Sequence, residues 1–238
     1  MRNGKHIMKG KDVISSSELE YINIQSNLSK KIVLENKINL NAVKKVAGVD
    51  LAYWKKDSVE YAVCCIVVLD YQTCEVIEMQ EYVDIVKVPY IPGCLAFREV
   101  PVFIQANNKI KSSPDLYFFD GNGYLHPRHM GLATHAGILM EKPTIGVAKS
   151  YYKIEGIDYA MPDNIQFSHT DIVIHGEIYG RVLRTHKGVR PIFLSVGNMI
   201  DLDTATKAVS KMVTKESHIP LPTRLADIMT YKARKTYC

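Results

Sequence analysis

The sequence predicts an α/β fold, a mixed sheet flanked by helices, on two observations. Three strand-like runs come early, Val46–Trp54, Val59–Asp70 and Cys74–Val83, rich in Val, Ile and Tyr and parted by short polar breaks. Such runs read as an antiparallel meander. From residue 95 onward, strand and helix patterns alternate, which adds parallel pairs to the same sheet. No internal repeat or long flexible linker interrupts the 238 residues, so one domain spanning 1–238 is expected, with 1–15 poorly ordered.

The elements follow in order. Ser17 to Ile38 predicts a helix: Ser17 and Glu20 form a capping-box pattern, and Tyr21, Ile24, Leu28 and Ile32 fall on one face. After the three strands, Leu95–Lys111 predicts a helix and Leu116–Phe119 a short buried strand. Pro127–Met140 predicts a helix with Pro127 at its favoured first position. Thr144–Val147 follows Pro143 as a strand. Shorter strands are expected at Asp171–Ile174, Ile178–Leu183 and Ile192–Ser195, and helices at Asp203–Thr214 and Arg224–Arg234.

Composition narrows the class. The longest uncharged apolar run, Tyr61 to Leu69, is far too short to span a bilayer. The basic start MRNGKHIMKGKD lacks the apolar core of a signal peptide. The expectation is a soluble, cytoplasmic protein without membrane contact. Five cysteines with no C-x-x-C pair give no zinc or redox spacing. The net charge of +5, from 30 basic and 25 acidic residues, is a mild pointer to a polyanion. Lys207, Lys211, Lys215, Arg224, Lys232, Arg234 and Lys235 recur near the end, a pattern that solvated helix faces also produce.

Three acids stand where acids are costly. Asp50 interrupts an apolar strand run, Asp120 ends LYFFD before a glycine turn, and Glu99 sits in the helix after a proline loop. Each has an ordinary explanation: a bonded sheet carboxylate, a turn cap, a surface helix acid beside Arg98. Together they can form one site, since adjacent strands can present two aspartates and a crossing helix a glutamate. Such a cluster repels itself and calls for a cation. Oxygen donors without Cys select Mg²⁺ or Mn²⁺, and phosphodiester hydrolysis is the usual task of that arrangement.

Two further stretches carry chemistry. In DGNGYLHPRHMGLATH, Gly121 and Gly123 allow a close backbone approach, and amides near His126-Pro127-Arg128 could meet the edge of a flat ligand. GVAKS places Lys149 at a strand end, where it could neutralise a phosphate. In VPYIPGCLAFREVP, Pro89 and Pro92 stiffen a loop tipped by Tyr90 and Ile91. A stiff apolar tip either packs inward or enters another molecule.

VAGVDLAY, VPYIPGCLAFRE, FFDGNGYLHPRHMGLATHAG, KPTIGVAKS, PIFLSVGNMIDLDTA and IPLPTRLAD, in that order, resemble the endonuclease V family of deoxyinosine-specific repair nucleases. The resemblance runs from about residue 24 to about Asp227. It implies a ribonuclease H-like fold and Mg²⁺-dependent cleavage, with Mn²⁺ as the substitute ion. The cut falls at the second phosphodiester 3′ to hypoxanthine, leaving a 3′-hydroxyl and a 5′-phosphate. It implies metal-binding, catalytic roles for Asp50, Glu99, Asp120 and Asp227, with Lys149 beside the scissile phosphate. Asp227, read alone, is an ordinary helix acid. The resemblance also makes Pro89-Tyr90-Ile91-Pro92 a wedge that enters the duplex, where stiff apolar side chains replace lost stacking. The flipped base would meet a pocket near Leu95, Gly121 and Gly123, closed by His126. The chain reads Gly197-Asn198 where many members read GH, and carries Cys94 where Leu or Phe is common. The implied partner is deoxyinosine-containing DNA, bound by a monomer. Inosine-containing RNA is the alternative substrate, and a non-catalytic nucleic-acid-binding module the alternative class.

Overall fold

The computed structural model describes residues 16–238, so the expectation for 1–15 lies outside the described residues. Eight strands form one sheet in the order β3-β2-β1-β4-β5-β8-β7-β6. They are β1 (Lys45–Lys56), β2 (Val59–Asp70), β3 (Val76–Ile85), β4 (Leu116–Asp120), β5 (Thr144–Ala148), β6 (His169–Ile174), β7 (Glu177–Leu183) and β8 (Ile192–Asn198). The first three pair antiparallel, β4 and β5 run parallel to β1, and β8 returns antiparallel to β5. This is the expected mixed sheet flanked by helices.

Alternation along the strands divides the side chains between two helical layers. Val46, Val67, Leu116, Phe118 and Val147 face α4 (Leu202–Lys211) and α5 (Leu221–Tyr237). Ala47, Val49, Ile66, Tyr117 and Phe119 face α2 (Ala96–Asn107) and α3 (Leu132–Met140). Asp50 and Asp120 share the parity of Val46 and Phe118, so their carboxylates belong to the α5 side. The α5 helix reaches that face because β1 carries Gly48. A β-carbon there would lie 2.0 Å from the Pro222 carbonyl oxygen at the start of α5.

Several boundaries differ from the sequence expectation, three of them with a cause visible in the side chains. The helix α1 spans Ser16–Ser29, stopping well before Ile38. Side chains of Asn36 and Asn39 bond their own local backbone beyond it, which favours turns over helix. Ile32 and Ile38 still pack on the core from this loop. On α1 the buried residue is Gln25, whereas Ile24 is exposed. The helix expected from Pro127 begins only at Leu132. His126 Nδ1 accepts the amides of Arg128 and Met130, and His129 has φ 56°, so residues 126–131 form a closed turn. The third strand begins at Val76 because Asp70 Oδ1 accepts the amides of Gln72 and Thr73 and sets a tight turn ahead of it.

Asn198 is buried and joins three elements. Its Oδ1 accepts the Val33 amide at 3.0 Å, and its Nδ2 donates to the Gly137 carbonyl at 3.1 Å. It ties the loop after α1 to β8 and α3. Among the described residues, no helix is long and apolar enough to cross a membrane.

Gly48→Ala is expected to force α5 off β1. Overpacking of this kind costs about 1–3 kcal/mol, or roughly 2–12 °C of thermal midpoint for a chain of this size. Calorimetry would check it, and an unchanged midpoint would show that α5 does not depend on this contact.

Candidate active site

The parallel β1–β4 register pairs Val49 with Phe119. One step further along both strands come Asp50 and Asp120, adjacent on one face. Asp227, in the second turn of α5, completes the group. One oxygen from each of Asp50, Asp120 and Asp227 lies within 4.8 Å of the others. Two unit charges that close repel by at least about 3 kcal/mol at an effective dielectric near 20. The site answers in two ways. Burial, then the neighbouring Asp120, pushes the Asp50 carboxyl up to about 7. Lys149, just past β5, sets its Nζ 2.5 Å from Asp120 Oδ2 and 3.0 Å from Asp227 Oδ1. Burial opposes the Lys149 charge, but the two aspartates outweigh it and raise its pKa. Burial also raises the Asp120 carboxyl, against the pull of Lys149.

Thr230, one turn after Asp227 on α5, stands between Asp50 Oδ2 (2.7 Å) and the Asp227 carbonyl (2.9 Å). Its single proton serves one acceptor at a time. Together with Tyr231, Arg234 and the β1 residues Leu51 to Tyr53, these groups line a cavity of about 470 Å³.

Glu99 lies apart from the three aspartates. It comes from α2, on the other side of the sheet, and accepts a hydrogen bond from Tyr53 Oη at 2.9 Å. Burial pushes its carboxyl up to about 7; the Tyr53 bond opposes this, and the charges of Asp50 and Asp120 add to it. Glu99 is therefore electrostatically joined to the aspartates while lying outside their 4.8 Å group. Arg98 turns away to Glu60 (3.0 Å).

A second cavity, about 170 Å³, opens on the α2 and α3 side. Tyr90, Leu95, Glu99, Asp120, Gly121, Asn122, His126 and Tyr152 are among its walls. Asp120 thus borders both cavities. Gly121 has φ 152°, a backbone conformation that suits glycine and lets the chain turn from β4 along the cavity wall. Asn122 Oδ1 is buried with no hydrogen-bond partner among the described residues. Gly123 stands behind the wall: its amide donates to Ser195 Oγ at 2.8 Å and its Cα packs on β8. His126 is a wall whose edges are committed. Since Nδ1 accepts two amides, Nε2 carries the proton and donates to the Gly93 carbonyl at 3.0 Å. Burial, then Arg128, lowers its pKa to about 3, so the ring is neutral.

The proline loop keeps its tip in solvent. Tyr90 is 66% exposed, Pro89 and Pro92 are exposed, and Ile91 is half-buried. The loop's base is fixed. The Gly93 carbonyl accepts from Gln25 Nε2 (2.9 Å) and Arg128 Nη2 (2.7 Å) as well as from His126, and Gln25 Oε1 accepts from Arg128 Nε (2.6 Å). Cys94 is buried beside Arg128.

The sequence profile of the family described as Endonuclease V matches residues 26–228. This chain belongs to the endonuclease V family. Endonuclease V of Bacillus thuringiensis subsp. konkukian is 56% identical over 216 residues, covering 91% of this chain and 92% of its own. The crystal structure of Bacillus subtilis endonuclease V gives a TM-score of 0.90 at 47% identity, covering 95% of this chain and 94% of that one. Ciona intestinalis endonuclease V, in complex with a 24mer DNA containing an inosine followed by a ribo-adenosine, gives 0.84 at 29% identity. That match covers 94% of this chain and all of the other.

Several residues of this endonuclease V site escaped the sequence reading. Thr230 had a signal, three positions from Asp227 on one helix face. Gln25 had one too, four positions from Tyr21 and so on the inward stripe of α1. Tyr53 and Asn122 had none, because only the tertiary structure gives them their neighbours.

The buried histidines set a pH dependence of stability. Burial lowers His135, on α3, to about 4, and His126 to about 3. Both folded values lie below the unfolded value near 6.5, so the unfolded chain binds more protons in between. The histidine contribution is complete above pH 6.5 and falls as pH drops, by about 1.4 kcal/mol per pH unit for each histidine, while the raised carboxyls of Asp50 and Glu99 contribute the opposite slope below about pH 7. Urea unfolding from pH 7 to 4.5 should show a shallower slope for His135→Gln by about one proton. An unchanged slope would contradict the buried neutral ring.

Proposed function

We propose that this chain is a divalent-cation-dependent endonuclease that recognises deoxyinosine in DNA and hydrolyses the second phosphodiester bond on its 3′ side. One observation carries the reading: Asp120 belongs both to the carboxylate cluster and to the wall of a separate cavity beneath an exposed apolar loop. A base held in that cavity puts its own strand at the carboxylates.

Asp50, Asp120 and Asp227 would hold the ion. Three crowded carboxylates, with no sulfur or imidazole among them, fit Mg²⁺, with Mn²⁺ as the substitute. When bound, such an ion activates water and offsets charge on the phosphoryl oxygens. Glu99, held by Tyr53, would act on the same centre through water. Lys149, already 2.5 Å from Asp120, is positioned to neutralise the scissile phosphate.

Pro89-Tyr90-Ile91-Pro92 would enter the duplex. The bonds gathered on the Gly93 carbonyl keep its base rigid, so little entropy is lost on insertion. The extruded hypoxanthine would lie against Leu95, Gly121 and the neutral His126, with Gly123 fixing the turn behind. Backbone groups there can read its O6 and N1–H, and the unpartnered Asn122 Oδ1 leaves an acceptor beside them. Guanine would be refused for want of room for its 2-amino group.

Asp50→Ala should lower Mg²⁺-dependent cleavage of a deoxyinosine strand by at least about a hundredfold and leave binding nearly intact. A gel assay checks this, and full activity in the variant would refute the metal assignment. Tyr90→Ala should weaken duplex binding about tenfold while sparing cleavage of a single strand. Equal losses on both substrates would remove the wedge role. A matched inosine-containing RNA strand in the same assay ranks the two substrates.

A further inference from the structure

Arg234 lines the carboxylate cavity with Asp50, Asp120, Lys149 and Asp227. It is exposed, and among the described residues its guanidinium makes no ion pair and no side-chain hydrogen bond. Lys149 already pairs with Asp120 and Asp227, so the acids of the cavity leave this second cation available. Tyr231, 54% exposed, lines the same cavity one turn before it, with Lys235 Nζ 4.3 Å over its ring. Asp227, Thr230, Tyr231 and Arg234 fall at i, i+3, i+4 and i+7, along one helical face. That face runs about 10 Å beyond the carboxylates at the helical rise per residue.

The placement of the two cavities gives the strand a direction. The cavity for the base opens on the α2 and α3 side, the carboxylate cavity on the α5 side, and Asp120 separates them. A strand with its base in the first and its reacting phosphate at Asp120 must leave over α5.

We propose that Arg234, with Tyr231 beside it, grips the first or second phosphate on the 3′ side of the cut, making α5 the track for the 3′ strand. This rests on the deoxyinosine endonuclease reading above. The guanidinium supplies a charge-assisted contact to a phosphate oxygen, and the Tyr231 ring a face for the adjoining sugar or base.

The test is a coupling experiment on single-stranded deoxyinosine oligonucleotides. Uncharged methylphosphonates replace the first or second phosphate 3′ of the cut, or a phosphate 5′ of the lesion. Arg234→Ala should lower kcat/KM on the ordinary strand about fivefold to tenfold, chiefly through KM. Its log–log salt slope should fall by about 0.7. One of the two 3′ methylphosphonates should cost the wild type a similar factor and cost Arg234→Ala nothing more. Arg234→Lys should recover part of the loss. The 5′ methylphosphonate should act equally on both proteins.

Wild-type kinetics in Arg234→Ala, or losses that multiply with both 3′ methylphosphonates, would overturn the proposal. So would coupling to the 5′ position. Wild-type protein that cuts no deoxyinosine strand would sink the endonuclease reading itself, and this proposal with it.

Discussion

Carboxylates brought together repel, and much of this fold serves to hold three of them at one point. The β1–β4 register makes Asp50 and Asp120 neighbours, and the close contact of Gly48 with Pro222 sets α5 where Asp227 joins them. Lys149 relieves part of the repulsion, while burial first and the neighbouring Asp120 second raise the Asp50 carboxyl. A cluster of this kind could hold a cation. Hydrophobic packing on both faces of the sheet supplies the restraint, since neither strand can shift without breaking a core cluster.

The sheet also acts as a partition. Aspartates on the α5 side and Glu99 on the α2 side reach the same strand ends from opposite faces. Asp120, last residue of β4, is where the two environments meet. On the proposed reading, a substrate would be read on one side and cut on the other, with Asp120 bordering both cavities.

Rigidity at the loop comes from a different source. Three donors converge on the Gly93 carbonyl, and one of them, Gln25, is fully buried. Buried polar groups satisfied this way specify one arrangement, because leaving any of them unpaired is costly. The exposed Tyr90 therefore projects from a fixed base.

Much of this was legible in the sequence. Runs rich in Val, Ile and Tyr at Val46–Trp54 and Val59–Asp70 identified the strands, and acids in apolar company singled out Asp50 and Asp120. Those signals are local, since the composition of a short run carries them. Asp227 gave no local signal and came only through the family resemblance, for an acid on a half-exposed helix looks ordinary until its neighbours are known. Helix ends misled at Ile38 and Pro127, where asparagine turns and the His126 ring competed for the backbone amides. The sequence by itself determined the sheet, the helical layers and the candidate chemistry. Only the tertiary structure decided that Asp227 stands within 4.8 Å of Asp50 and Asp120, because a shared side of the sheet is a property of packing.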